Sequence, residues 1–326
     1  MSYKKKIASL IGKTPLWKLG EPFRKMPRIL FYHGVIDGDY YDARVQANQI
    51  RFKNFKEEIE FLKRNYVFIS IDDFYNRFTQ KDKFSGKEIV LTFDDGYKNN
   101  LTVAAPYLQT LGIPFTVFVS TGCVEKFVPT YYIRSALLSN KLQKLDIPTL
   151  KKQFHLTKIN QKAVMEELIT CIKTSNDALV QGVIGEIEEQ LGIVNRDEIN
   201  SHFESERILS WPEVGELIKY DATIGSHSVS HSILHDNQSI ETIDFQLKES
   251  KKHIINHVGN CKYFAFPNGD RSSVCSNSLE ISKKYYDMSF AVNGKSVSYQ
   301  NPISFVSRID VAFELSLLKT QLSLLS

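Results

Sequence analysis

The feature that most constrains this chain is a six-residue run, Glu88 to Phe93 (EIVLTF), that stops at Asp94-Asp95-Gly96. A short apolar run bounded by turn residues reads as a buried strand. Two adjacent carboxylates at its end exceed what a turn needs, since one Asp suffices. Their side chains diverge, so one can bind a cation while the other accepts a proton. A strand end suits that use, because the sheet fixes the group while the loop leaves it accessible.

Other runs repeat the pattern. Arg28 to Val35 (RILFYHGV), Pro114 to Ser120 (PFTVFVS), Ala222 to Gly225, Tyr263 to Phe266, Ser289 to Val292 and Phe305 to Val311 read as strands. Helices are predicted from Gly96 to about Leu111, from Ser210, over Ser278 to Tyr286, and from about Glu314. Ser210 with Glu213 three residues on is a capping box, with Pro212 in the first turn. Ile240, Ile243, Leu247, Ile254 and Val258 line one face of a long helix closed by Gly259. Strands alternating with helices predict an α/β fold, a mostly parallel sheet or (β/α) barrel. Residues 124–207 break the rhythm. They are rich in Lys, Leu, Glu and Gln, with helical spacing at Val164, Leu168 and Ile172 and at Val183, Ile187 and Leu191. They read as a helical insertion on the barrel rather than an independent domain. The 326 residues suffice for one such unit.

Charge is uneven. Residues 1–28 carry eight basic groups against one acid, while the whole chain is +4, so the body is slightly acidic. That argues against nucleic acid as a partner, which wants a basic folded surface. The basic leader, residues 1–27, holds Ile7, Leu10, Ile11, Leu16 and Trp17 among its lysines. It could lie on an anionic membrane surface or form a solvated, partly disordered tail. The apolar patch Ile7 to Ile11 is too short for an export core, and no run reaches the roughly 18–20 apolar residues of a membrane span. Four separated cysteines with no CxxC pair fit reduced thiols. A cytoplasmic protein is expected.

A hydrolytic metal site needs about three protein ligands and an open position. Three His-x-x-x-His pairs are available: His227/His231, His231/His235 and His253/His257. The last lies in a final helical turn, where imidazoles favour the negative helix end. His227 and His231 follow a short strand directly, which makes them the better ligand candidates, although spacing alone does not choose.

These residues resemble a known family. Thr92-Phe93-Asp94-Asp95-Gly96-Tyr97 and Ser226-His227-Ser228-Val229-Ser230-His231 are similar to the first two motifs of polysaccharide deacetylases with a NodB-homology domain (carbohydrate esterase family 4). Ser210-Trp211-Pro212-Glu213 and Phe264-Ala265-Phe266-Pro267-Asn268-Gly269 resemble the poly-N-acetylglucosamine deacetylase branch. The motifs span residues 28–312 outside the insertion. The resemblance implies a distorted (β/α) barrel of the NodB type over residues 28–326. It also implies a divalent metal, usually Zn2+, on Asp95, His227 and His231, with Asp94 as general base and a backbone N–H near Tyr97 for the oxyanion. Two departures stand out. No histidine follows His257, the region from which many relatives draw the acid, which leaves His33 in Phe31-Tyr32-His33-Gly34-Val35 as the candidate. No arginine precedes Pro267, and Arg308 could reach Asp94 from the last strand. Tyr97, Trp211 and Pro267 are expected to line the site and bind substrate, and Arg308 to contact substrate or Asp94.

The implied activity is removal of N-acetyl groups from an amino sugar in a glycan or glycan precursor, the precursor being lipid-linked or nucleotide-linked. Deacylation or deformylation of another amide keeps the same chemistry. A non-catalytic carbohydrate-binding relative would have no use for a base beside a metal.

Overall fold

The computed structural model describes residues 3–18, 25–40, 46–125, 146–158, 161–191, 207–292 and 297–324. Its centre is a parallel sheet. In chain order the strands are β1 (Arg28–Tyr32), β2 (Gly34–Ile36), β3 (Gln49–Arg51), β4 (Val67–Phe68), β5 (Glu88–Phe93), β6 (Phe115–Val119), β7 (Ala222–Ser226), β8 (Tyr263–Ala265), β9 (Met288–Ala291), β10 (Val306–Ser307) and β11 (Ile309–Asp310). The spatial order is β10-β9-β8-β7-β6-β5-β1-β11, with β4 paired to the start of β5 and β2 with β3 forming a separate parallel pair.

Strands β10 and β11 lie at opposite ends of that order yet are separated in sequence by Arg308 alone. Val306 and Ser307 pair with β9, while Ile309 and Asp310 pair with β1. The Arg308 N–H itself donates to Ala291 O at 2.8 Å. One residue of backbone thus links the sheet's two edges, and the result is a nearly closed (β/α) barrel. The continuous strand expected over Phe305 to Val311 is two short ones because each half serves a different edge.

Side chains alternate along the strands. Ile29, Val90, Phe118, Tyr263 and Phe290 form an interior cluster, joined by Ile71, Phe74 and Phe78 of the helix Ile71–Gln80. Leu30, Leu91, Phe93, Val117 and Ile224 point outward into a second cluster shared with the surrounding helices. The helix Trp211–Ile218 starts as expected, with the Glu213 carboxylate accepting from both the N–H and the hydroxyl of Ser210. The helix Ile240–Val258 ends at Gly259 in the left-handed region, φ 89°.

The first strand departs from expectation. It breaks at His33, and Gly34 begins the β2–β3 pair. Gly34 permits this because a Cβ there would lie 2.2 Å from the Gln49 side-chain oxygen. Beyond Gly96, the expected helix opens as a π-helical segment, Asn100–Ala104, before Ala105–Thr110.

Within the insertion the described helices are Ile147–Gln153, Gln161–Thr174 and Asp177–Leu191. Val164, Leu168, Val183 and Ile187 are buried in a cluster of their own, as their spacing predicts, with Ile172 packed against it. Residues 126–145 and 192–206 of the insertion, and the Leu191 side chain, lie outside the described residues.

The expectation of a loose, solvated leader does not hold for residues 3–18. The helix Tyr3–Lys13 lies against the C-terminal helix Leu315–Leu324. The Ser9 hydroxyl donates to Glu314, and Thr320 donates to the Ala8 carbonyl. A Cβ at Gly12 would fall 1.7 Å from Ser316 O, so the contact is backbone-close. Residues 1–2 and 19–24 of the leader lie outside the described residues.

Tyr32 donates its hydroxyl to the fully buried Glu58 at 2.8 Å. Burial drives the Glu58 carboxyl up to about 8, against the lowering effect of that hydrogen bond. An acid whose folded pKa exceeds its unfolded value near 4.5 supports folding while protonated. That support is present below about pH 4.5 and is lost as pH rises toward 8. Glu58→Gln cannot ionise and keeps an acceptor for Tyr32. It is expected to raise Tm over wild type by roughly 3–8 °C at about pH 9 and to leave it nearly unchanged at about pH 5. Calorimetric scans at both pH values check this, and an equal shift at both would rule out ionisation as the cause.

Candidate active site

Strand β5 delivers both carboxylates. Val90 and Thr92 belong to the barrel interior, and Asp94, two residues beyond Thr92, continues on that face. Its N–H still donates to Tyr32 O at 2.9 Å, so the Asp94 backbone belongs to the sheet. The chain then turns sharply. Asp95 and Gly96 have φ of 73° and 77°, which swings the Asp95 carboxylate away from that of Asp94. A left-handed Asp is strained by about 1–3 kcal/mol and is tolerated where the surroundings over-determine it.

Arg308 meets Asp94 inside the barrel. Its two terminal nitrogens donate to the two carboxylate oxygens at 2.6 and 2.7 Å, and one also reaches Thr92 Oγ1 at 3.2 Å. The guanidinium is fully buried, with its carbon 4.6 Å from the Phe31 ring centroid and 5.3 Å from that of Phe118. Burial pushes the Asp94 carboxyl up, but the charge and hydrogen bonds of Arg308, together with the nearby His227 and His33, outweigh it and hold the group below the usual carboxylate range. Arg308 was expected as a contact of substrate or of Asp94. The geometry assigns it to Asp94, since it lies behind the carboxylate and not on the cleft wall.

The second motif follows β7. His227 donates its backbone N–H to Val119 O at 2.9 Å, extending the β6–β7 pairing by one step. Its Nδ1 lies 2.7 Å from Ala265 O, and a carbonyl only accepts, so Nδ1 carries the proton. Burial pushes the imidazole down to about 4, leaving Nε2 an uncharged donor of its lone pair at neutral pH. Ser228 and His231 are left-handed, φ 65° and 55°. The buried Gln246 of the helix Ile240–Val258 holds the loop between the histidines. Its side-chain oxygen accepts from Val229 N–H at 2.9 Å and Ser230 N–H at 3.1 Å, and its amide donates to Ser230 Oγ at 2.9 Å.

Asp95, His227 and His231 thereby converge, with ligand atoms all within 4.8 Å of one another. Asp95 Oδ1 lies 3.5 Å from His227 Nε2 and 3.3 Å from His231 Nε2, and is buried with no hydrogen-bond partner among the described residues. Ligands about 2.0–2.2 Å from a tetrahedral cation stand roughly 3.3–3.5 Å apart, so the donor set fits a divalent ion such as zinc. Burial would raise the Asp95 carboxyl, but the electrostatic pull of the facing His231, His33 and His227 imidazoles holds it well below the ordinary range. The other pairs are engaged elsewhere. His253 Nδ1 is 3.1 Å from Thr121 Oγ1, and His257 stacks on Trp211 at 4.0 Å. His235 is buried, its Nδ1 accepting from Asn237 N–H.

His33 stands at the break between β1 and β2. Its carbonyl accepts from the buried Asn100 side chain at 2.7 Å, and its ring meets the Phe31 edge at 5.6 Å. Together with Asp94, Asp95, His227 and His231 it lines a cleft of about 410 Å³, within the range of small-ligand sites.

Three expected lining residues are elsewhere. Trp211 is taken up by its stack on His257, and Pro267 is buried under the turn in which its carbonyl accepts from Gly269 N–H. Tyr97 is buried and accepts from Asn48 at 3.0 Å, and it is Asn48 that reaches the cleft. The cleft also draws on Asn268, Asp270 and Asp310, and on Lys173, Asp177 and Gln181 of the insertion. Asp310 was within reach of the pleat rule, lying two residues beyond Arg308 on the same strand face. The insertion residues carry no such signal. Asp177 docks by accepting from Ser232 Oγ at 2.9 Å and donating its N–H to Gln238 at 2.8 Å. The insertion therefore forms one wall of the cleft.

Residues 80–285 match the family model described as polysaccharide deacetylase. The Bacillus subtilis (strain 168) protein YxkH, named as a polysaccharide deacetylase, is 31% identical over 107 residues, 32% of this chain and 36% of that protein. The match thus spans about a third of that relative. Among solved structures, the Streptococcus pyogenes deacetylase PplD in complex with acetate aligns with TM-score 0.56 and 17% identity, covering 88% of this chain and 92% of that one. IcaB from Ammonifex degensii aligns with TM-score 0.56 and 15% identity over 91% and 97%. A de-N-acetylase from Aggregatibacter actinomycetemcomitans gives 0.55 and 15% over 88% and 95%. At these identities the structural likeness is one of fold.

Arg308→Met would strand a buried carboxylate. We expect a loss of about 3–5 kcal/mol in urea unfolding, with Asp94→Asn recovering part of it in the double variant. Additive losses would show that the pair is not coupled.

Proposed function

The chain belongs to the polysaccharide deacetylase family, and on that premise we propose that it removes N-acetyl groups from an amino sugar in a glycan or glycan precursor. The observation that carries this reading is the convergence in one cleft of an Arg308-bound carboxylate, an Asp/His/His donor set and a separate histidine. Asp95, His227 and His231 would hold a divalent ion, zinc by donor type. When bound, that ion would supply a Lewis acid for the amide carbonyl and lower the pKa of a water toward roughly 7.

The chain's own groups handle the protons. Asp94 accepts one from the attacking water as the oxygen–carbon bond forms. Arg308 fixes both carboxylate oxygens and keeps the group ionised, so the carboxylate is always ready but only weakly basic. Such a base works because the water is made acidic rather than because the carboxylate is strong. As the carbon–nitrogen bond breaks, the amine needs a proton, since an amide anion is not a viable leaving group. His33 is the donor we assign, and Asn100 positions it through its carbonyl. Acetate and a free amino sugar are the products. The insertion wall, with Lys173, Asp177 and Gln181, would grip the sugar or its carrier, nucleotide- or lipid-linked.

Acetate release from a panel of N-acetyl sugars tests this, with zinc content measured in parallel. Asp94→Asn and His33→Ala are each expected to keep zinc and lose about 10²–10⁴-fold in kcat. A fully active His33→Ala would remove the acid assignment and leave the hydrolase. Release of formate or a longer acid would redirect the reading to another amide. Metal-free protein that bound sugar without turnover would favour a binding role.

A further inference from the structure

Away from the cleft, three aromatic rings run in a row beneath lysines. Trp17 meets Phe61 at 5.2 Å, and Phe61 meets Tyr66 at 6.4 Å. Above them stand Lys18 over Trp17 at 5.7 Å, Lys319 over Phe61 at 5.0 Å and Lys87 over Tyr66 at 5.4 Å. Lys13, Lys18 and Lys319 also surround a shallow hollow of about 350 Å³ floored by Trp17 and Phe61. The rings are nearly covered, at 6–7% exposure, so the lysines form the outer layer. Beside this row the leader exposes aliphatic side chains: Ile7 at 43%, Leu10 at 65% and Leu16 at 55%. Val67, next to Tyr66, is 59% exposed. The leader helix spends Ala8, Ser9 and Gly12 on the C-terminal helix, and Ile7 and Leu10 stay exposed among the described residues. Of the acids on these elements, Glu314 is bound by Ser9 and Ser316, Glu58 by Tyr32 and Glu88 by Arg77.

We propose that this face, built from residues 7–18, Tyr66, Val67, Lys87 and Lys319, docks on an anionic phospholipid bilayer. Lysines spread over apolar surface place their heads at phosphate level while aliphatic groups enter the hydrocarbon boundary. Charge complementarity alone would also admit a nucleic acid. The covered rings offer no free face for base stacking, and the exposed aliphatic groups gain nothing from a polyanion in water. Tyr66, Val67 and Lys87 stand where β4 and β5 begin, whereas the cleft opens where β5 and β7 end. A protein resting on this face keeps its cleft turned toward water, which suits a nucleotide-linked or polymeric substrate over one drawn from the same bilayer.

Co-sedimentation of the full-length protein with vesicles tests the proposal without reference to turnover. Phosphatidylglycerol-containing vesicles should bind it at least tenfold more tightly than phosphatidylcholine vesicles, and binding should weaken steeply with added salt. The triple variant Lys13→Gln/Lys18→Gln/Lys319→Gln should lose about a hundredfold in partitioning, near fivefold per lysine. Leu10→Ser/Leu16→Ser should weaken binding while Tm and acetate release from soluble substrate stay at wild-type values. No binding to anionic vesicles, or wild-type binding by both variants, would overturn it. Complete displacement from the vesicles by inorganic phosphate or by an oligonucleotide would also overturn it, in favour of a soluble anion or nucleic acid site.

Discussion

The structure turns on the buried pair of Arg308 and Asp94. A guanidinium and a carboxylate are both costly to bury, and only their mutual neutralisation in good geometry makes the interior of this barrel tenable. Both carboxylate oxygens are used, and Thr92, Phe31 and Phe118 surround the guanidinium. The same residue supplies the backbone that links the two edges of the sheet. Closing the barrel and aiming the Asp94 carboxylate are therefore one event. A chain in which β10 and β11 failed to find their partners would leave Asp94 unpaired in an apolar core.

The donor cluster is built on the opposite principle. Asp95, Ser228 and His231 sit in left-handed backbone, a conformation these residues adopt at a cost. The strain is held by neighbours: the sheet bonds of Asp94 and His227 on either side, and Gln246 across the Val229–Ser230 backbone. What results is an Asp95 oxygen buried without a hydrogen-bond donor among the described residues and facing two imidazole nitrogens, an arrangement that a cation would relieve. Asp94 is thus fixed by a permanent countercharge, whereas the Asp/His/His set is one that a cation could fill.

The helical insertion has its own small apolar cluster and touches the barrel through polar contacts around Asp177, Gln238 and Ser232. Those contacts fall on the loop just after His231. A wall held this way can change in sequence without disturbing the strands that carry the donors.

Much of this was legible in the sequence because it depends on local pattern. An apolar run ending in Asp94-Asp95-Gly96 specifies a buried strand with polar groups at its tip, and the alternation of such runs with helices specifies a parallel α/β sheet. Where the chain reads correctly but finer detail fails, the cause is long-range pairing. His33 falls within what looks like one continuous strand to Val35, yet the Asn100 side-chain amide donating to its carbonyl and the approach of Gln49 to Gly34 break the strand there. Trp211 looks like a site residue, yet His257, 46 positions away in the chain, occupies its face. Three His-x-x-x-His pairs are equal in spacing, and only the fold brings one of them to Asp95. The sequence by itself determined the elements, the strand tip and the residue types available for chemistry, because propensity and periodicity act over a few residues. Tertiary structure alone decided which arginine neutralises Asp94, which histidines share its neighbour's oxygen and which insertion residues face the cleft. Those choices depend on strand order and barrel closure, which join positions more than 200 residues apart.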